Sequence, residues 1–410
     1  MRTLAGVAVL WLVSSWALAT EVYKCTDADG RSVFSDKPCG DAAEKIRLRT
    51  SPVDTLATVE FLNVVWESLW QGSGYLQRMS KWDQPIRVKF SGASVDRHRE
   101  LVLRQLRRVA DIAGIQVTEV AGDATGANLE VVFIDARVNV PKDKLCWANM
   151  GPPAAAIKAA KITLHESSVK WCSLHEAMHV MGIVGHPHAN SALSYFVRSH
   201  EPTEIDNFIL KGLYSDEMKA GMYSLTAMEM YAKRYLDRFP SVTERAAKEK
   251  VVKKFLAEIV KQLESFAWGP GTPPAAVLKS KRATAEGLDW GRVEAQFLLG
   301  LVYTSGQIVE ADHKTGFGWF ARAASSAHVD AQFYMGEAYY QGRGVERDVV
   351  EAYKWYSLAA RNKFPAAKTK ILSLGKELTP QQISQGKARV TAWTSSPRKV
   401  LAIPSETAID

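Results

Sequence analysis

The chain has 410 residues, 52 basic against 44 acidic, with 47% hydrophobic and 23% charged residues and a formal net charge of +8. That length exceeds one ordinary domain, and the apolar content excludes a largely disordered or collagen-like chain. The basic residues are scattered along helical stretches and no nucleic-acid motif is found, so no nucleic-acid partner is expected.

Residues 1–19 read as an export signal. Arg2 supplies the positive end, Leu4 to Trp16 is mostly apolar, and Ala17-Leu18-Ala19 is a small-residue cleavage site. The apolar run is short for a membrane span and no other run approaches that length, so no span is expected after cleavage. An anchor left uncut is the alternative. The mature chain is then periplasmic or secreted. There its four cysteines, Cys25, Cys39, Cys146 and Cys172, favour disulfides, with Cys25–Cys39 and Cys146–Cys172 as the near pairs.

Residues 20–50 alternate apolar and polar side chains around Asp27-Ala28-Asp29-Gly30, which predicts a small β-hairpin unit. Tyr23, Lys24, Asp27, Gly30, Phe34, Ser35, Asp36 and Pro38 fit a pattern, and through them the unit resembles a small N-terminal domain of unknown function frequent in exported bacterial proteins. That resemblance implies no chemistry.

Residues 52–266 form the presumed central domain. Strands are predicted at Pro85 to Phe90, Ile115 to Val120, Leu129 to Ile134 and Lys161 to Leu164. Helices are predicted at Val95 to Ala113, Ile205 to Tyr214, Ser224 to Phe239 and Thr243 to Phe266. Interleaved strands and helices point to an α+β domain with a mixed sheet.

Within it, Trp171 to Tyr195 carries the chemistry: His175, Glu176 and His179 in the order H-E-x-x-H, then Gly182 and His186. Residues four apart on a helix share a face, so both imidazoles can meet one ion, and Glu176 can reach a water bound to it. Nitrogen ligands, an open position and a carboxylate base are what zinc-assisted hydrolysis requires. His186 is the natural third ligand and His188 the alternative. Ser167 or Ser168 is placed to cap the helix. Ser173 is a rival cap that would make Glu176 a structural partner. Cys172, three residues before His175, is a competing ligand.

The motif resembles that of the metzincin clan of zinc peptidases, H-E-x-x-H-x-x-G-x-x-H followed by a Met-containing turn. This chain departs from it in two places. Gly185 occupies the usual third-histidine position with His186 one residue late, and the turn reads Ser191-Ala192-Leu193-Ser194-Tyr195, with Leu193 where Met is expected. The span from Trp82 to Met222 also resembles an uncharacterised metzincin-like domain of secreted bacterial proteins. The resemblance implies zinc (Zn2+) on His175, His179 and His186, Glu176 as catalytic base and a peptide or protein substrate. It places Tyr195 near the metal or in the core, and makes Lys161 to Leu164 an edge strand that binds extended peptide by strand addition.

Residues 267–288, with Trp268-Gly269-Pro270-Gly271-Thr272-Pro273-Pro274, read as a linker. Residues 289–394 repeat at an offset of 36: Gly300 with Gly336, Tyr303 with Tyr339, Asp312 with Asp348, Trp319 with Trp355. Such a period signals a helix–turn–helix solenoid, and the pattern resembles Sel-one-like repeats, relatives of the tetratricopeptide repeat, which implies a protein partner. A third unit, Pro365 to Trp393, keeps Ala367 but loses the glycines, as a capping unit does. Trp319 and Trp355 read as packing residues, and residues 395–410 as a tail. Two functions emerge: an exported zinc metallopeptidase with a partner-binding repeat domain, and a non-catalytic scaffold whose histidine domain is structural.

Overall fold

The computed structural model describes residues 20–26, 32–35, 44–48, 53, 56–70, 78–121, 125–141, 144–150, 156–187, 190–194, 199–268 and 285–394. The signal at 1–19, the hairpin turn at 27–30, Cys39 and so its pairing with Cys25, His188, Tyr195 and the tail at 395–410 lie outside the described residues.

β1 (Thr20–Thr26) pairs antiparallel with β2 (Ser32–Ser35) and with β3 (Glu44–Leu48), so a third strand joins the expected hairpin. After it comes α1 (Thr58–Trp70), a helix the sequence pattern does not announce. Phe61, Leu62, Val64, Val65 and Leu69 are all buried, because other elements pack on more than one of its faces.

Next come β4 (Lys81–Trp82), β5 (Ile86–Gly92), α2 (Val95–Ala113), β6 (Val117–Glu119), β7 (Leu129–Ile134), β8 (Cys146–Asn149), β9 (Ala156–Ile157) and β10 (Ala160–His165). One five-stranded sheet has the order β6-β5-β7-β10-β8, with β8 antiparallel to β10 and the other pairings parallel; β4 and β9 form a small parallel pair. The mixed α+β architecture is as expected. Alternation explains β5, in which Ile86, Val88 and Phe90 are buried and Arg87 and Lys89 lie between them. In α2, Val102, Leu106, Val109 and Ala113 recur at helical spacing and are buried.

One expectation is overturned. Lys161 to Leu164 is no edge: β10 lies inside the sheet, with Ile162 opposite both Val131 of β7 and Ala148 of β8. Its run Ile162-Thr163-Leu164-His165 is buried throughout, as suits a strand covered on both faces. The edge on that side is β8, whose Cys-Trp-Ala-Asn sequence carries little strand signal.

Helices α3 (Val169–Val180), α4 (Glu204–Leu213), α5 (Ser224–Leu236) and α6 (Val242–Trp268) complete this part. Val252, Leu256, Ile259, Val260 and Leu263 of α6 face the core, as their spacing predicts. Beyond lie the helix pairs α7 (Ala285–Ser305) and α8 (His313–Ser325), α9 (Val329–Gln341) and α10 (Val349–Arg361), α11 (Pro365–Leu374) and α12 (Pro380–Thr394). Helix α6 therefore runs two residues into the expected linker, and α7 starts before residue 289.

The 36-residue offset is physical. A Cβ at Gly300 would come within 2.4 Å of the Phe320 ring, and one at Gly336 within 2.5 Å of the Tyr356 ring, so both positions let helices close on an aromatic side chain. Asp312 caps α8 and Asp348 caps α10. Trp319 and Trp355 are buried, which is the expected packing role. Ala367, kept in the third unit, is fully buried.

The repeats dock on the α+β part through α6 and through a polar cluster. Arg78 donates to Asp330 Oδ2 at 2.6 Å and to the Tyr223 hydroxyl, while His328 Nε2 lies 2.8 Å from Glu294 Oε2.

Candidate metal centre

The interior strand β10 delivers the chain into a 3-10 turn at Glu166–Ser168 and then into α3. Ser168 occupies the N-cap position, as expected, but its hydroxyl does not cap the helix. It donates to Leu145 O at 2.9 Å and to His165 O at 2.8 Å. Cys172 is bonded to Cys146 (S–S 2.04 Å, Cα–Cα 6.2 Å), so it ties α3 to the edge strand β8 and is not a ligand. Ser173 sits inside the helix, fully buried, and its Oγ has no hydrogen-bond partner among the described residues; the rival capping box is absent.

The far end of α3 is closed by side chains remote in sequence. Trp82 Nε1 donates to Val180 O at 2.7 Å and the Tyr214 hydroxyl to Met181 O at 3.0 Å, which satisfies carbonyls a helix end leaves open. Gly182 has φ +96°, the left-handed turn its position predicts, and a Cβ there would meet Ser80 O at 2.0 Å.

The chain then crosses α1. Gly185 N donates to Ser68 O at 2.7 Å, and a Cβ at 185 would stand 1.7 Å from Glu67 O. No side chain fits at that position, so His186 is the residue that turns to the site. This backbone contact accounts for the extra residue between the second and third histidines.

The structure brings His175, His179 and His186 together. Nε2 of His186 lies 3.0 Å from Nε2 of His175 and 3.0 Å from Nε2 of His179, and the remaining pair is 3.2 Å apart. His179 donates through Nδ1 to Ile183 O at 2.7 Å, which leaves Nε2 as the lone-pair nitrogen; the His175 ring is hydrogen-bonded to the Ala192 backbone. Burial holds His179 down to about 4 and His186 to about 3, and burial with the neighbouring rings puts His175 well below its ordinary value. Three imidazoles that burial disposes to the neutral form thus bring their Nε2 atoms to one point. Nitrogens about 2.0–2.1 Å from a tetrahedral zinc stand about 3.3 Å apart, so this donor set fits such an ion.

Glu176 is one residue from the first ring and 3% exposed. Burial pushes its carboxyl up to about 8, and its Oε2 has no hydrogen-bond partner among the described residues. A buried carboxyl oxygen without a partner is costly, and burial offsets part of that cost by favouring the neutral acid.

Under the cluster runs the turn at 190–194. Leu193 is fully buried, in the place where the motif carries Met. Asp206 holds this turn: its carboxylate accepts from Ser191 Oγ at 2.5 Å, Ala192 N at 2.8 Å and Thr203 N at 2.8 Å, and completes a capping box with Thr203 on α4. Sequence reasoning missed Asp206, although Thr203-x-x-Asp206 before an apolar run was the available signal. It also missed Trp82, Tyr214 and Ile183 O, whose roles depend on the fold.

The site is thus a buried three-histidine cluster with an adjoining carboxylate, in an α+β unit that continues into paired helices. Comparison with known families places matches along the chain in the same order. A family described as a domain of unknown function (DUF4124) matches residues 9–58, and one described as a protein of unknown function (DUF2927) matches residues 55–232. The Sel1 repeat matches residues 293–328 and 329–364, so the first two helix pairs of the C-terminal region are Sel1 repeats. No curated protein matches the chain. Among solved structures, the chain is similar to a protective antigen present in uropathogenic Escherichia coli strains displaying an SLR fold. The two share 19% identity over 56% of this chain and 45% of the antigen, at a TM-score of 0.25. It is also similar to a Sel1 repeat protein from Oxalobacter formigenes, with 24% identity over 37% of this chain and 89% of that one, at a TM-score of 0.20. The chain therefore spans less than half of the antigen's length.

Proposed function

We propose that this chain is an exported zinc-dependent peptidase whose Sel1 repeats engage protein partners. The observation that carries the reading is the buried Oε2 of Glu176, without a hydrogen-bond partner among the described residues, beside three converging imidazole nitrogens. A purely structural zinc site closes its fourth position with a ligand and has no need of a base.

His175, His179 and His186 would hold the ion. Zinc bound there supplies a Lewis acid for a peptide carbonyl and for water. Glu176 takes up a proton at Oε2 as water attacks and delivers it to the leaving nitrogen. Asp206 keeps the Ala192 backbone in place, which orients the His175 ring. Extended substrate adds to the sheet at β8, the strand beyond β10 among the described residues.

Two variants test this. Purified protein is expected to contain about one zinc per chain by elemental analysis, lost in His179→Ala. Glu176→Gln is expected to keep the zinc and lose about 100-fold or more of peptide-library cleavage. A second reading, supported by the Sel1 matches, is a non-catalytic scaffold in which zinc only stabilises the fold. It prevails if wild type and Glu176→Gln are equally inert over a broad library while both hold zinc.

A further inference from the structure

A cavity of about 460 Å³ lies between α5 and the first two repeats. Leu225 and Glu229 form one wall, and Leu298, Phe317 and Tyr334 line the others. That volume and a mainly apolar lining at the junction of two units are the features of a binding pocket. Tyr334 stacks on Phe320 at 5.1 Å, yet it remains 37% exposed although Phe320 is buried.

The charges around the cavity are unequal in their surroundings. Glu337 is already held by the Tyr356 hydroxyl at 2.7 Å and Lys370 Nζ at 2.6 Å. His313 and Arg343 are exposed at the rim. Glu229 is half-buried and makes no hydrogen bond or ion pair with any described residue; Lys233, one turn on, acts on it only through space, and burial pushes its carboxyl up. Glu229 is therefore the carboxyl of the cavity wall that no described residue pairs, and a cation that enters beside it gains a charge-assisted contact at a half-buried position.

We propose that this cavity docks a segment of a partner polypeptide that presents an arginine or lysine between large apolar side chains. The cation meets Glu229, and the flanking side chains cover Leu298, Phe317 and Tyr334. Nothing in this depends on chemistry at the histidine cluster.

The test uses zinc-loaded full-length protein and fluorescein-labelled, amidated heptapeptides with a central arginine, glutamate or norleucine between leucine and phenylalanine, read by fluorescence anisotropy. A parallel series in a Glu176→Gln background separates docking from hydrolysis. The arginine peptide is expected to bind saturably, and Glu229→Gln to weaken it about tenfold while the norleucine peptide binds both proteins alike. Glu229→Lys is expected to transfer the preference to the glutamate peptide. Equal affinity of wild type for the arginine and glutamate peptides overturns the proposal, as does unchanged arginine-peptide affinity in Glu229→Gln. Self-association abolished by Glu229→Lys overturns it too, since it assigns the cavity to a second copy of the chain.

Discussion

Replacing Gly185 with alanine tests the geometry of the histidine cluster without touching a histidine. The new Cβ would stand 1.7 Å from Glu67 O and 2.8 Å from Ser68 O, both backbone atoms of α1 that cannot swing aside. Carbon–oxygen contacts closer than about 3 Å are repulsive, so the segment must retreat by about 1.3 Å. The retreat breaks the Gly185 N to Ser68 O hydrogen bond of 2.7 Å. Overpacking costs about 1–3 kcal/mol and the lost hydrogen bond about 1 kcal/mol, which predicts a destabilisation of about 2–4 kcal/mol. His186, the next residue, moves with the segment, and zinc affinity is expected to fall about 10–100-fold, the scale seen when the support of a ligand is removed. Competition against a chromophoric chelator measures the affinity, and denaturant melts with and without zinc measure the stability. Gly126→Ala is the control: its Cβ would have only Arg87 Nε nearby, at 3.8 Å, and a change within about 0.5 kcal/mol is expected. Wild-type zinc affinity in Gly185→Ala would refute the placement of His186 as a ligand set by α1.

Asp206→Ala removes the acceptor of the Ala192 and Thr203 amides and the Ser191 hydroxyl; a loss of about 2–4 kcal/mol in denaturant melts is expected, with weaker zinc binding, and a loss under about 1 kcal/mol would contradict the role given to it. The Cys146→Ser, Cys172→Ser double variant opens a loop closed across 26 residues, which by chain entropy costs about 3–4 kcal/mol; unchanged melts would show that the bond carries no stability. Trp319→Ala, in the repeats, is expected to cost about 3–5 kcal/mol yet leave zinc content unchanged, because it packs on Trp268 at the end of α6 rather than within the histidine helix; coupled loss of zinc would refute that independence.

What the sequence shows and what it conceals follow from the range of the interactions. Helix α2 is legible to the residue, because its apolar positions recur at helical spacing and Gly114 ends it in the left-handed region. The 36-residue repeat is legible for the same reason: Gly300 and Gly336 sit in equivalent settings, each against the aromatic ring of the next helix. Two histidines four apart announce their shared face on α3. Helix α1 is concealed because Phe61, Leu62, Val64 and Val65 leave no clean polar stripe on a helix covered on several sides. Strand β8 is concealed because it is short and polar at one end, and its pairing with Ile162 and Leu164 is decided by the sheet.

The third histidine shows how the two kinds of information combine. His186 is readable as a candidate from its distance to His179, but its one-residue delay is unintelligible along the chain. The cause is Glu67 and Ser68, more than a hundred positions earlier, whose carbonyls press on Gly185. The same holds for the other supports of the cluster: Trp82 on Val180 O, Tyr214 on Met181 O and Asp206 on the Ala192 amide all arrive from elsewhere in the fold. Local motif supplies the ligand atoms, and tertiary structure supplies their positions to within the few tenths of an ångström that metal coordination demands. A peptide spanning only residues 171–195 is therefore expected to bind zinc far more weakly than the folded chain, since it lacks each of those contacts.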